Sequence, residues 1–151
     1  MKRLAIVGSV LAPILVGLAA SATTLGLGVG LDPTGILMFS ALTEVAISES
    51  FSLQAEAGIA TGEVAGLMLA TAAILYHAPF PPVDPFVGIG AGAALTPPPF
   101  STGLVAEGIA GVRVAVIDPV SLFVQLRYLV RWSGAGVTAG PIYEAGVQFR
   151  F

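Results

Sequence analysis

Leu122-Phe123-Val124-Gln125-Leu126-Arg127-Tyr128-Leu129-Val130-Arg131-Trp132 alternates from end to end. Leu122, Val124, Leu126, Tyr128, Val130 and Trp132 share one parity, and Phe123, Gln125, Arg127, Leu129 and Arg131 share the other. Successive side chains of a strand point to opposite faces, so the stretch reads as a β-strand with one wholly apolar face and one charged face. Which face meets the surroundings decides the fold. A soluble sheet turns its apolar face to a core, whereas a membrane barrel turns it to lipid.

Composition favours the membrane. Apolar residues make up 56% of the 151 and charged residues 10%, against roughly 25% charged in an ordinary soluble domain. A spanning helix needs about 20 consecutive apolar residues. Val64 to Ala78 comes closest, but it is short and runs into a proline-rich turn. Without helices, a closed barrel is the remaining spanning solution, because an open sheet edge would leave backbone groups unpaired in lipid. A soluble sandwich or lipocalin-like barrel would show the same alternation with more charges and more lysine. The only lysine here is Lys2.

Lys2 and Arg3 precede an apolar run from Leu4 to Leu18, and Ala20-Ser21-Ala22 places small residues at a cleavage position. Residues 1–22 are expected to be a cleaved signal peptide, leaving a barrel domain over 23–151 that starts at Thr23. With no cysteine in the chain, disulfides and thiolate metal sites are excluded.

Eight strands follow by parity: about Thr24 to Leu31, Ile36 to Ile47, Phe51 to Thr61, Val64 to Ala78, Phe86 to Leu95, Leu104 to Val116, Leu122 to Trp132, and a last one ending at Phe151. The fourth is apolar on both faces, so periodicity alone does not separate strand from helix there. Turns or loops are expected at Asp32–Gly35, Pro79–Pro85, Thr96–Gly103, Asp118-Pro119 and the glycine-rich Ser133–Gly140. Eight is the smallest even number used by outer-membrane barrels. The expected fold is thus an all-β, eight-stranded, antiparallel, up-and-down transmembrane barrel.

The charges test this independently. Beyond Ala22 there are thirteen. Asp32, Glu49, Glu63, Asp84 and Asp118 fall in expected turns. Glu44, Glu56, Glu107, Glu144, Arg113, Arg127, Arg131 and Arg150 all fall on the polar parity. A charge facing lipid near the midplane costs roughly 2–4 kcal/mol. Four carboxylates and four guanidiniums facing inward can neutralise one another, arginine pairing with carboxylate at two points. With Gln54, Gln125 and Gln148 they form the expected polar network of the lumen, and the inward glycines are expected to make room for the arginines. A register centred on Pro119 sets Glu107 opposite Arg131, and a loop between the seventh and eighth strands centred near Val137 brings Glu144 close. Arg131 is therefore expected between those two carboxylates. Aromatics should mark the interfaces, with Phe51, Phe149 and Phe151 near one rim and Phe39, Trp132 and Tyr143 near the other.

Three stretches carry a family resemblance. Pro85-Phe86-Val87-Gly88-Ile89-Gly90-Ala91-Gly92 is similar to a proline-aromatic-glycine strand entry, Val116 to Tyr128 to a turn and alternating strand, and Tyr143 to Phe151 to an aromatic last strand. Together they resemble the small outer-membrane barrels that include the OmpA-type transmembrane domain and the OmpW-like and opacity-like proteins. The resemblance implies an outer-membrane location in a Gram-negative-type envelope and both termini in the periplasm. It also implies lipid contacts, and recognition of Tyr143, Phe149 and Phe151 by the barrel-assembly machinery. Short loops count against a receptor or adhesin, and no periplasmic domain is expected after Phe151.

Enzymatic readings fare poorly. His77 is the only histidine, read as an interfacial residue in a turn with Ser48, Glu49 and Ser50 in another turn nearby, and hydrolysis needs nucleophile, base and orienting group together. No metal or cofactor is expected. The GxGxG runs continue strands and lack a phosphate-binding lysine. Four basic and nine acidic residues, net −5 beyond Ala22, speak against nucleic acid. A structural role in membrane integrity, as a monomer, leads; a narrow OmpW-like channel for small or apolar solutes is the alternative, and a barrel enzyme acting on lipid stands third.

Overall fold

The computed structural model describes residues 24–61, 67–78, 80–96 and 101–151. The expected signal peptide, Glu63 and the start of the fourth strand lie outside them. Eight strands close into one antiparallel barrel in chain order. They are β1 (Thr24–Leu31), β2 (Leu37–Ala46), β3 (Phe51–Ala60), β4 (Met68–His77), β5 (Val83–Thr96), β6 (Ser101–Ile117), β7 (Val120–Ser133) and β8 (Gly136–Arg150). β1 pairs with β8, with Leu25 opposite Phe149 and Leu31 opposite Tyr143. Closure leaves no edge, as the bilayer demands. Both ends of the described barrel, Thr24 and Arg150, lie at one rim, here the terminal rim; the β1–β2, β3–β4, β5–β6 and β7–β8 connections lie at the loop rim.

The wall is inverted relative to a soluble protein. Leu27, Val29, Ile59, Ile74, Ile89, Leu104 and Val124 are exposed on the outside, while Glu44, Glu56, Glu107, Arg113, Arg127 and Glu144 are buried within. An apolar belt of that extent in water would be an aggregation surface; in lipid it is the solvent-matched face. This excludes the soluble sandwich.

Several boundaries differ from the sequence reading. The segment Ser133–Gly140 is not a loop: Ser133 pairs with Gly136 across a two-residue turn, and Val137 to Gly140 are in β8. Gly136 takes φ +123° there, a conformation favouring glycine. Ser101 to Gly103 belong to β6, and Val83 to Pro85 belong to β5 rather than to the proline-rich turn. Where both faces are apolar, Met68–His77 is nonetheless a strand, because the lumen beside it accepts Leu69, Ala73 and Leu75.

The register between β6 and β7 also corrects the expectation. Ile117 pairs with Val120 across the Asp118-Pro119 turn, and the pairing then slips at a bulge, so that Ala115 meets Ser121. A bulge sets two residues of one strand against one of the other. Glu107 consequently faces Leu129, and Arg131 faces Val105. The tight β7–β8 turn likewise sets Glu144 opposite Gln125 and Arg131 opposite Thr138. Arg131 does not sit between Glu107 and Glu144. It lies nearer the loop rim, two residues beyond the partner of Glu107, about 6–7 Å along the strand, and six residues beyond the partner of Glu144.

Candidate functional site: the barrel lumen

At mid-height the lumen is crossed by one guanidinium. Arg127, fully buried on β7, occupies the place expected for Arg131. Its Nε and Nη2 donate to Glu107 Oε2 at 3.1 and 2.5 Å, its Nη2 also to Thr71 Oγ1 at 3.2 Å, and its Nη1 to Glu56. Glu144 Oε2 is 3.6 Å from Nη1, and Gln125 donates to that oxygen at 2.9 Å. Ser40 donates to the other oxygen of Glu144. β2, β3, β4, β6, β7 and β8 thus converge on one belt, joined by charge-assisted bonds.

Glycines make room for the carboxylates of this belt and for aromatic rings, and among the described residues Gly103 alone does so for an arginine stem, that of Arg131. A Cβ on Gly28 would stand 2.1 Å from Glu144 Oε1, and one on Gly90 would stand 2.8 Å from Glu107 Oε1. Gly111 and Gly146 clear the rings of Phe86 and Phe123.

Toward the terminal rim lies a second cluster. Arg113 Nη2 donates to Glu44 Oε2 at 2.5 Å, and its Nη1 is 3.6 Å from Asp84 Oδ2. His77 Nδ1 is 3.0 Å from Asp84 Oδ2, and its Nε2 is 2.8 Å from Ser52 Oγ and 3.3 Å from Glu44 Oε1. His77 is therefore not an interfacial turn residue but a buried lumen residue. Asp84, expected in a turn, also faces inward. Extending the period-two pattern of β5 back past Pro85 puts Asp84 on the parity of Phe86 and Gly88, a signal the proline obscured.

Ser52, His77 and Asp84 have the spacing of nucleophile, base and orienting acid. The surroundings oppose that chemistry. Ser52 is 3% exposed. Glu44 beside the same imidazole nitrogen would repel the negative charge that develops in acyl transfer, where donors are needed instead.

Between and above these clusters the lumen is apolar, so a Glu/Arg network does not fill it alone. Ala73, Leu75, Phe86 and Ile109 form one layer. Met38, Leu69, Ala94 and Val105 form another near the loop rim, flanked by Leu67, Leu129 and Ile142. Gln54 donates to Glu56 at 3.3 Å, and Gln148 is buried. Of the other expected lumen residues, Arg131 is half-buried near the loop rim and Arg150 is exposed at the terminal rim.

The aromatics expected at the interfaces all lie outside. Phe39, Phe51, Trp132, Tyr143, Phe149 and Phe151 are exposed. Phe51 packs on Tyr76 with ring centroids 5.3 Å apart. Tyr143 sits at the middle of β8, yet level with Leu31 at the end of β1.

These features define an eight-stranded transmembrane β-barrel. No family model matches the chain, and no curated protein matches it. Among solved structures it is similar to a de novo designed transmembrane β-barrel, at 14% identity and TM-score 0.66, covering 87% of this chain and 96% of that one. It is similar to the N-terminal β-barrel domain of Pseudomonas aeruginosa OprF, at 14% identity and TM-score 0.66, covering 86% and 98%. Neisserial surface protein A matches at 18% identity and TM-score 0.65, covering 85% and 94%. The resemblance read from the three sequence stretches holds at the level of the fold.

Proposed function

We propose that the chain is an integral protein of the outer membrane of a Gram-negative-type envelope, with a structural role in membrane integrity. The observation that carries this reading is the Arg127 belt. A fully buried guanidinium bonded to Glu56, Glu107 and Thr71 fills the centre of the lumen, and apolar layers pack on the strands around it. An eight-stranded barrel has an interior that side chains can just fill. The apolar exterior supports direct contact with lipid.

In this reading residues 1–22 direct export and the terminal rim faces the periplasm. The assembly machinery reads the aromatics on and just after β8, namely Tyr143, Phe149 and Phe151. The barrel acts as a monomer and performs no catalysis. The second reading, a narrow channel for small or apolar solutes, has in its favour the cavity at the loop rim described below.

Single-channel recording in a planar bilayer separates the two. The structural reading expects insertion with no discrete conductance steps. Reproducible steps from the wild-type chain would overturn it in favour of the channel.

A further inference from the structure

Above the Arg127 belt the lumen opens into a cup of about 590 Å³ at the loop rim. Its apolar lining includes Met38, Leu69, Ala94, Val105, Leu129 and Ile142. Small-molecule sites are concave, about 300–1,000 Å³, mostly apolar, and carry a few placed polar groups. The cup fits that description, and among the described residues its charged groups are two: Asp32 and Arg131.

Those two charges are not equivalent. Asp32, in the β1–β2 turn, is satisfied within its own turn. Its Oδ1 accepts from the Thr34 amide at 2.9 Å, the Thr34 hydroxyl at 2.7 Å and the Ile36 amide at 2.9 Å. Slight burial would raise its pKa, but these bonds outweigh that and hold the carboxyl below its ordinary value. Asp32 is thus a settled anion whose acceptor sites are in use. Arg131 is the opposite case. Its stem lies over Gly103, where an added Cβ would come within 3.2 Å of its Cγ. Arg127, Arg113 and His77 each have carboxylates within ion-pair distance. Among the described residues Arg131 has none.

We propose that this cup binds a single-chain anionic amphiphile, its alkyl chain seated on Met38, Leu69, Ala94 and Val105 and its carboxylate held by Arg131. The apolar floor takes the chain because removing its methylene groups from water is favourable. The guanidinium takes the headgroup because its planar fork matches a carboxylate. The belt below closes the cup, so the ligand is held rather than passed through. The position of Arg131 four residues beyond Arg127 on β7, about 13 Å along the strand, is what leaves its charge for an outside partner.

The test uses the full chain refolded in a non-ionic detergent, with bound ligand counted by native mass spectrometry. Dodecanoate, dodecanol and dodecyltrimethylammonium are the probes. Dodecanoate should bind at one per barrel, and more tightly than either of the others. Arg131→Gln should weaken dodecanoate by about 10- to 100-fold, the worth of a charge-assisted bond, while leaving dodecanol unchanged. Gly140→Leu is the second variant. Gly140 lines the cup, and a Cβ there meets nothing within 4 Å. Its side chain should fill the space and weaken both dodecanoate and dodecanol. Equal binding of all three probes, or dodecanoate affinity unchanged in Arg131→Gln, would overturn the headgroup assignment. Dodecanoate binding unchanged in Gly140→Leu would show that the cup is not the site.

Discussion

Removing Arg127 should be among the most damaging single changes in this barrel. Arg127→Met keeps much of the volume but withdraws the one guanidinium shared by Glu107 and Glu56 and close to Glu144. Breaking a single buried pair costs about 3–5 kcal/mol, because the remaining charge is left uncompensated. Here three carboxylates, each at most 5% exposed, lose their partner together, so the loss should reach about 5 kcal/mol. Part of that is mutual repulsion. Adding Glu107→Gln should recover some of it, giving a double-mutant coupling of about 2 kcal/mol, within the range for residues in contact. The assay is urea-induced unfolding in detergent or lipid vesicles, followed by circular dichroism, on wild type, both singles and the double. An Arg127→Met variant within about 1 kcal/mol of wild type would refute the reasoning. So would a coupling indistinguishable from zero, since the belt would then not be an electrostatic unit.

Other expectations test separate parts of the structure. Gly146→Ala should destabilise by about 1–3 kcal/mol through overpacking, since its Cβ would lie 2.1 Å from the Leu27 carbonyl oxygen and 2.5 Å from the Phe123 ring. Gly108→Ala, whose Cβ meets nothing within 4 Å, should stay within about 0.5 kcal/mol of wild type in the same unfolding assay. Ser52 should not react with a fluorophosphonate; an adduct at Ser52 that disappears in His77→Ala would show a working nucleophile after all. Trp132, exposed on the outer face, should be quenched most by lipids brominated near the headgroup, and strongest quenching from the bilayer centre would contradict its placement at the loop rim.

Much of the wall was legible in the sequence because lipid enforces parity. On β7 every residue from Leu122 to Trp132 lies on the face its parity assigns, and no charge of that strand breaks the rule. The lumen was less legible, for two physical reasons. Leu69, Leu75, Phe86 and Phe123 are buried inside, so inward positions are not uniformly polar and β4 lost its contrast. Register is also a sum over turns, and one bulged residue near Val116 moved every β6–β7 pair. Together with the tight β7–β8 turn, which sets Glu144 opposite Gln125, that exchanged the roles of Arg127 and Arg131, which have the same parity and chemistry and differ only in depth. The glycine-rich Ser133–Gly140 misled for a related reason: composition suggests a loop, but backbone pairing with β7 needs no side chains, and the turn itself uses only Gly134 and Ala135.

The strands are of two lengths. β1 to β4 have 8 to 10 residues each, whereas β5 to β8 have 14 to 17. At about 3.3 Å per residue and a tilt of roughly 40°, the shortest strand rises about 20 Å along the barrel axis and the longest about 43 Å. An outer-membrane barrel presents an apolar band about 25 Å tall. β1 alone falls short of that band, β2 to β4 match it at about 25 Å, and β5 to β8 overshoot it. Such hydrophobic mismatch is relieved by leaning or by thinning the leaflet beside the short side. The barrel should sit canted, with the bilayer pinched only beside β1, so that its two sides impose different thicknesses on the lipids around it.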